Sequence, residues 1–358
     1  MKSSNKVSLL LPGNRYLPVN LLAACFNNTV ATYKFYWLLS IIHSVEKGKT
    51  LISKKELFAG MISKAWYTVN YFHISFGQQD KLQRAIERIK VIEGLTVDAN
   101  QDIVFEKLMQ SSQRETITTL NHFDAQVPHW FLSPWFPGSQ KSDIYRHSQN
   151  LENNCIYSVY PELIQINLAW VNYLIENAAL LKDFCYWNLA IFLQKKNPNV
   201  PDILNKIIKP AIRSSLTKQR TGFWNFVFEE LGSMKCVYTN ETLIKENYAM
   251  EHFIPYNFVS HNLIWNLLPA DKSFNCSKSD KLPIMARHFN KFYDLQKTAI
   301  KIIREKQPRN KFLEEYLTIF PDLDKLDLLS DSFTKERFRE RIQPLISIAS
   351  NNGFEFLK

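Results

Sequence analysis

The segment with the clearest chemical potential is residues 251–283, EHFIPYNFVSHNLIWNLLPADKSFNCSKSDKLP, which is rich in aromatic residues and poor in glycine. It places Glu251 beside His252 and continues to Asn266 and Asn275. An imidazole with a pKa of about 6.5 is a competent base at cellular pH. Carboxylate and amide oxygens are hard ligands that suit Mg²⁺ or Mn²⁺. Because phosphodiester hydrolysis needs a base for water and a cation to offset charge, these residue types predict a small metal-dependent phosphodiesterase site.

The same residues have a second interpretation without chemistry. Adjacent residues of a strand point to opposite sides, so Glu251 and His252 can serve one phosphate only at a strand end or a bulge. In the alternative, His252 is a buried hydrogen-bonding residue, and Asn266 and Asn275 are loop caps. The site would then be inactive.

The order EHFIPYNF, WNLLP and NCSKSDKLP resembles the ββα-metal core of HNH endonucleases. His252 precedes Asn266 by 14 residues and Asn266 precedes Asn275 by 9, and both spacings agree with that family. The end of the segment is also similar to the HNH domain of RNA-guided CRISPR nucleases, at positions Asn275, Lys278, Ser279, Asp280 and Pro283. The resemblance covers roughly residues 234–290, about a sixth of the chain.

This resemblance implies a role for each matching position. His252 would be the general base that activates water, and Asn266 would be the central catalytic-loop residue that braces the connection between two strands. Glu251 and Asn275 would hold the metal, Mg²⁺ or Mn²⁺, as in the His-Asn-Asn members of the family. Lys278 would sit early in the helix and contact a phosphate of the DNA.

Two positions depart from the family pattern. Glu251 stands where the family usually has Asp, so its carboxylate reaches one methylene farther, which would either weaken Mg²⁺ binding or favour the larger Mn²⁺. Many relatives also hold a structural zinc with two C-x-x-C pairs, which correspond here to Cys236 with Thr239 and Asp271 with Phe274. Because one thiolate in four positions cannot make such a site, we expect no structural zinc and apolar packing of Phe274 in its place.

The segments around this site are mostly of helical type. Apolar residues at helical spacing predict helices within 18–47, 52–75, 79–95, 101–120 and 161–196. Pro161 suits the first turn of the last of these, and three prolines within 127–139 predict a long loop that extends to about 154. Residues 236–238 are β-type and open a strand-rich insert of about 55 residues, which a helix over 283–307 follows.

This pattern predicts an α+β fold that is mostly α-helical and has three parts. Residues 1–230 form a helical recognition or regulatory domain, residues 231–290 form the small ββα-metal HNH domain, and residues 291–358 form a C-terminal helical extension.

The charge balance favours a polyanionic partner. The chain of 358 residues has a formal net charge of +10, and clustered Lys and Arg residues ease the approach of phosphates. Within 285–311, Lys297, Lys301 and Arg304 fall on one helical face, which predicts contacts with the DNA backbone, although a solvated basic helix is the alternative. A second basic run precedes the site and consists of Lys206, Lys209, Arg213, Lys218 and Arg220.

The remaining composition narrows the class of protein. Glycine is scarce, and the chain has neither GxxxxGK[ST] nor GxGxxG, so the usual nucleotide-binding loops are excluded. Five scattered cysteines indicate a reducing compartment. An interrupted N-terminal apolar run and the lack of an 18-residue apolar window predict no signal peptide and no membrane span. We therefore expect a cytoplasmic protein. The cluster TYKFYW (32–37) favours a buried helix face over a base-stacking platform.

Together these features predict a DNA endonuclease. The NPNVP turn, the basic residues after it and GFWNF are similar to helical regions of restriction-like HNH proteins, which suggests a role in bacterial restriction or antiphage defence. The alternative is a non-catalytic DNA-binding or partner subunit that uses the HNH fold for docking. A third interpretation is a nuclease that stays silent until a partner or small-molecule signal acts on the helical domain.

Overall fold

The structure is a computed structural model that describes residues 11–27, 29–208, 215–323, 325–326 and 329–358. The chain divides into two compact units, Met1–Pro198 with Ile203–Ala211 and Asn199–Asp202 with Ile212–Lys358. Both units combine helices with sheets of two or three strands, so the predicted mostly helical α+β fold is confirmed. The three-part functional division remains a prediction. Among the described residues, no helix is both long and apolar enough to cross a membrane.

The first unit consists mainly of helices. Those that the structure describes are α1 (Val19–Ala24), α2 (Tyr33–Glu46), α3 (Lys54–Asn70), α4 (Lys81–Glu93), α5 (Gln101–Gln110), α6 (Arg114–Asn121), α7 (Val127–Phe131), α8 (Lys141–Ser148), α9 (Leu168–Glu176), α10 (Ala178–Lys196) and α11 (Ile203–Ile208). A small antiparallel sheet has the order β1-β3-β2 and contains β1 (Leu51–Ser53), β2 (Tyr157–Val159) and β3 (Leu163–Ile166).

Two expectations for this unit were wrong. The predicted loop after residue 127 contains α7 and α8, because Pro128 lies in the first turn of α7, where proline needs no amide hydrogen. The helix expected from Pro161 is instead preceded by β3, whose residues pair with both neighbouring strands. By contrast, the core interpretation of the aromatic cluster is confirmed, since Phe35, Tyr36 and Trp37 are all buried.

The second unit contains the segment that carries the candidate chemistry. Its described elements are α12 (Thr217–Gln219), a π-helical turn over Arg220–Trp224, α13 (Asn225–Leu231), β4 (Ser233–Lys235), β5 (Thr242–Ile244), β6 (Ala249–His252), α14 (Tyr256–Val259), β7 (Leu267–Ala270), α15 (Lys272–Lys278), α16 (Met285–Lys306), a 3-10 helix over Lys311–Thr318 and α17 (Asp331–Asn351). Strands β4 and β5 form one antiparallel pair, and β6 and β7 form another. Residues 236–238, expected to be extended, lie instead in the connection between β4 and β5, in which residues 237–239 form a turn.

Long helices and the end of the chain enclose the β6–β7 pair. The ring of Phe253, directly after β6, stacks on Phe292 of α16 with 3.9 Å between the centroids, and Phe292 packs on Phe338 of α17 at 5.7 Å. The backbone amide of Leu282 donates to the carbonyl of Glu355, at 2.7 Å, and the Leu357 amide donates to the Leu282 carbonyl, at 2.8 Å. Helices α16 and α17 therefore belong to the core that supports the site.

The substitution Phe292→Ala tests this dependence. Phe292 is 0% exposed, so truncation leaves a cavity beneath the site and should lower the free energy of unfolding by about 3–5 kcal/mol, as seen for buried Phe residues. Phe333→Ala on α17 is the matched control, because Phe333 is 51% exposed, and it should cost less than about 1 kcal/mol. Urea unfolding measures both. Equal losses would contradict the role of α16 in the core.

Candidate active site

Antiparallel pairing places the candidate residues at the end of a strand. Glu251 is opposite Leu268, and His252, the last residue of β6, is opposite Leu267. One further ladder bond follows, from the Phe253 amide to the carbonyl of Asn266 at 2.8 Å. Since His252 ends the strand, its side chain is not confined to the alternation of a continuous strand, which is the condition that shared chemistry with Glu251 requires.

Asn266 braces the connection between the two strands. Its Oδ1 accepts from the amide of Ile254 and its Nδ2 donates to the carbonyl of Ile254, both at 2.9 Å. Gln296 of α16 supports the same corner, because its Nε2 donates to the carbonyl of Leu267 at 2.7 Å. The side chain of Asn266 is fully buried, so these two bonds satisfy backbone groups that solvent does not reach. Its direct part in catalysis remains a prediction.

A buried ion pair joins α15 to β6. Lys278 is the last residue of α15, so the expectation that it sits early in the helix was wrong. Its side chain is fully buried, and the ammonium donates to Oε1 of Glu251 at 3.0 Å and to the carbonyl of His252 at 2.9 Å. The same Glu251 oxygen accepts from the backbone amide of His252, also at 2.9 Å. The predicted phosphate contact of Lys278 therefore requires this pair to open. As it stands, the ammonium fixes α15 against the strand that carries Glu251 and His252.

Asn275 lies one helical turn before Lys278 on α15. Residues three apart share a face of a helix, so the face that brings Lys278 to Glu251 also carries Asn275. Its Oδ1 is buried and has no hydrogen-bond partner. A buried amide oxygen without a partner is costly, and a cation would satisfy it. The Glu251 carboxylate and the Asn275 amide oxygen are hard donors, and one or two such groups with substrate oxygens are a usual Mg²⁺ or Mn²⁺ set. These residues therefore fit the predicted metal.

The described part of the chain has no metal site that is built from several His, Cys, Asp or Glu side chains. Across residues 11–27, 29–208, 215–323, 325–326 and 329–358, no group of three or more His, Cys, Asp and Glu side chains is placed to hold a metal ion.

The imidazole of His252 faces the loop between α14 and β7. Its Nε2 lies 2.9 Å from Oδ1 of Asn262, and its ring meets the Tyr256 ring edge-on at 5.4 Å between centroids. Asn262 was not among the predicted site residues. No motif spacing distinguishes it from other polar residues of a loop, and only the tertiary structure brings it to His252.

This arrangement agrees with comparison against known families: the HNH endonuclease family matches residues 236–284. Residues 236–284 form an HNH endonuclease domain. A domain of this family indicates a nuclease or DNA-binding function with DNA as the substrate. HNH nucleases generally use divalent metal ions. No curated protein and no solved structure matches the chain.

An aromatic stack includes Phe274, one of the positions that the resemblance aligns with a zinc-binding pair. Tyr238 stacks on Phe274 with 4.8 Å between the centroids, and the thiol of Cys236 accepts from the Asp271 amide at 3.5 Å. Asp271 caps α15, since its Oδ1 accepts from the Phe274 amide at 2.9 Å. A hydrogen bond from the Ser273 hydroxyl, and then the Phe274 amide, lower the pKa of the Asp271 carboxyl. Asp271 therefore caps α15, and Phe274 packs in the aromatic stack.

The predicted DNA-contacting residues on α16 differ in their surroundings. Lys297 pairs with Asp331 at 2.5 Å, and this ammonium lowers the pKa of the Asp331 carboxyl. Lys301 and Arg304 line a cavity of about 530 Å³ together with Glu305, Arg309 and Glu314. Acidic side chains therefore lie beside Lys301 and Arg304 in this cavity.

The second basic run is only partly within the described residues. Lys209 and Arg213 lie outside them, and Lys206 is buried. Lys218 is exposed, and the Arg220 guanidinium stacks over the Tyr248 ring at 4.0 Å. In this run, Lys218 therefore has an exposed positive charge, whereas the Arg220 guanidinium packs on an aromatic ring.

The substitution Asn266→Ala tests the brace. It leaves the amide and the carbonyl of Ile254 buried without partners, so we expect a loss of about 2–4 kcal/mol in the free energy of unfolding. Asn275→Ala is the matched control, because the Asn275 oxygen makes no hydrogen bond, and it should cost less than about 1 kcal/mol. Chemical denaturation followed by tryptophan fluorescence measures the difference, and similar losses would argue against the brace.

The substitution Lys278→Met tests the buried ion pair. Methionine fills a similar volume but leaves the buried Glu251 carboxylate without the opposite charge of Lys278, so the free energy of unfolding should fall by about 3–5 kcal/mol. The control is Lys297→Met, which breaks a half-exposed pair and should cost about 1 kcal/mol or less. Denaturant unfolding in matched buffers gives both values. A Lys278→Met protein as stable as Lys297→Met would show that the pair does not hold α15.

Proposed function

We propose that this protein is a metal-dependent HNH endonuclease that hydrolyses phosphodiester bonds of DNA. The observation that carries the proposal is the buried Asn275 oxygen without a partner, on the same helical face that Lys278 fixes beside Glu251. A structural asparagine would normally use its buried oxygen in a hydrogen bond. An asparagine whose oxygen binds a cation leaves that oxygen without a hydrogen bond when no cation is bound.

In this mechanism each residue of the chain has a distinct task. His252 accepts a proton from the water that attacks the phosphorus. Glu251 and Asn275 would hold a Mg²⁺ or Mn²⁺ ion, which supplies positive charge near the phosphate and the leaving oxygen. Lys278 keeps Glu251 in place and Asn266 keeps the loop after His252 in place. As the family resemblance implies, the products are a 5′-phosphate and a 3′-hydroxyl.

Positive side chains outside the catalytic centre would hold the DNA backbone. Lys301 and Arg304, one turn apart on α16, are the members of the predicted face that border a cavity, while Lys297 must first leave Asp331. Such contacts position a strand but carry no sequence information. These contacts therefore do not select a recognition sequence in the DNA.

The proposed setting is the cytoplasm of a bacterium, in restriction or antiphage defence. Support comes from the similarity of the NPNVP and GFWNF region to helical parts of restriction-like HNH proteins. In this setting the helical first unit would receive DNA, a partner protein or a signal, and the HNH domain would cut.

One observation favours a second candidate function, a non-catalytic DNA-binding or docking subunit. The Glu251 carboxylate is bound by Lys278, and both side chains are almost fully buried. If the pair never opens, the carboxylate cannot reach a metal ion and the HNH domain serves only as a binding surface.

Cleavage of supercoiled plasmid tests the nuclease directly. With Mg²⁺ or Mn²⁺ the full chain should nick or cut the plasmid, and His252→Ala should lower the rate by about 100-fold or more, because a general base contributes that much. His122→Ala is the matched control, since His122 is exposed on the first unit, and it should cut at the wild-type rate. Undiminished cleavage by a folded His252→Ala protein would refute the assignment of the base.

Calorimetric titration with Mn²⁺ separates the two candidates without relying on cleavage. The wild-type chain should take up Mn²⁺, and Asn275→Ala and Glu251→Gln should each bind it at least about 10-fold more weakly, because the first removes a hard oxygen ligand and the second removes the negative charge of another. Asn290→Ala, at an exposed position on α16, should bind like the wild type. The absence of uptake by the wild type and by Asn275→Ala alike would favour the docking subunit.

A further inference from the structure

We propose that Asn262 is a positioning residue that holds the His252 imidazole in the tautomer with its proton on Nε2. The inference rests on the proposed function, because it deepens the role of His252 as the general base. The spacing of the family motif does not identify Asn262.

The hydrogen bond between these side chains determines which nitrogen carries the proton. Nε2 of His252 lies 2.9 Å from Oδ1 of Asn262. An amide oxygen only accepts, so Nε2 must donate. A neutral imidazole has one N–H, and Nδ1 therefore carries the lone pair. The contact thus selects Nδ1 as the atom that takes the proton from water.

A neutral acceptor suits this task. The Asn262 amide fixes the plane of the ring without adding a charge beside it, whereas a carboxylate there would favour the charged imidazolium. An imidazolium cannot accept a proton. The contact with Tyr256, edge-on at 5.4 Å, limits the ring from a second direction.

Residues outside the HNH match hold the loop that carries Asn262. Gln219 of α12 donates from Nε2 to the backbone carbonyl of Asn262 at 3.2 Å. Two residues further on, the Ile264 amide donates to the carboxylate of Glu315, in the 3-10 helix Lys311–Thr318. The carbonyl of Ile264 accepts from Gln296 of α16 at 3.4 Å.

These contacts link the general base to three elements that flank residues 236–284. A base placed by a side chain on a loop needs that loop to be rigid, because small errors in position cost large factors in rate. The orientation of His252 therefore depends on the whole second unit and not on the HNH segment alone.

Nitrogen NMR of the full chain, labelled with ¹⁵N-histidine, tests the contact without reference to cleavage. At one pH well above the ordinary imidazole pKa of about 6.5, His252 should show a pyridine-like Nδ1 and a pyrrole-like Nε2. The spectrum of His252→Gln identifies the signals. In Asn262→Ala the two nitrogens should move toward averaged shifts, while Asn290→Ala keeps the wild-type pattern. A proton on Nδ1 in the wild type, or unchanged shifts in Asn262→Ala, would overturn the proposal.

Kinetics then tests the catalytic use of the contact. Asn262→Ala should lower kcat by about 10-fold or more and leave KM within about two-fold, because the ring loses orientation while DNA binding remains. Asn262→Gln, which can restore an amide acceptor, should recover part of kcat, and Asn290→Ala should match the wild type. Wild-type kcat in Asn262→Ala would overturn the positioning role.

The two arms separate failure of this inference from failure of the nuclease proposal. A wild-type protein that cuts DNA while Asn262→Ala cuts equally well refutes the role of Asn262 alone. A wild-type protein with the expected tautomer that never cuts DNA with Mg²⁺ or Mn²⁺ refutes the nuclease, and with it the catalytic use of the contact.

Discussion

The ion pair between Glu251 and Lys278 is the constraint on which the rest of the site depends. Removing two charges from water costs several kcal/mol for each ion, and only good geometry with additional hydrogen bonds offsets that cost. Here the ammonium also reaches the carbonyl of His252, and the carboxylate also accepts the His252 amide. The pair therefore has one favourable arrangement, with α15 docked on the end of β6. Because Asn275 is on α15, its position also depends on that docking.

The sequence predicted the parts of the site that follow a linear pattern. The order and spacing of His252, Asn266 and Asn275 identified the HNH domain, and helical periodicity gave α4 and α16 almost to their ends. Residues whose roles depend on partners far along the chain could not be predicted in this way. Lys278 looked like a phosphate contact, because nothing in its spacing reveals that the ammonium turns inward to Glu251.

Other omissions have the same physical origin. The acid that pairs with Lys297 is Asp331, on a different helix, and the partner of His252 is a loop amide that no period marks. In the first unit, β3 was missed because its apolar residues also fit a helix. Strand pairing with β1 and β2 decided between the two, and pairing is a property of the fold.

The aromatic stack of Tyr238 and Phe274 indicates how the HNH domain is held together. An aromatic pair adds only about 0.5–1.5 kcal/mol beyond the burial of its rings, which is small beside the cost of ordering a domain of this size. The domain therefore relies on the surrounding core, in which Phe253, Phe292 and Phe338 lie in successive contact. Burial, and then the charge of Glu251, raise the pKa of the Tyr238 hydroxyl, so this ring stays neutral inside the domain.

The backbone bonds between Leu282 and residues 355–357 have a consequence for synthesis of the protein. A ribosome completes the HNH segment long before it adds the residues that clasp Leu282, and α16 and α17 emerge in the interval. During that time the nascent chain carries the candidate site residues without the backbone bonds that join Leu282 to residues 355–357. The framework around residues 251–278 is therefore complete only after residues 355–357 have been added.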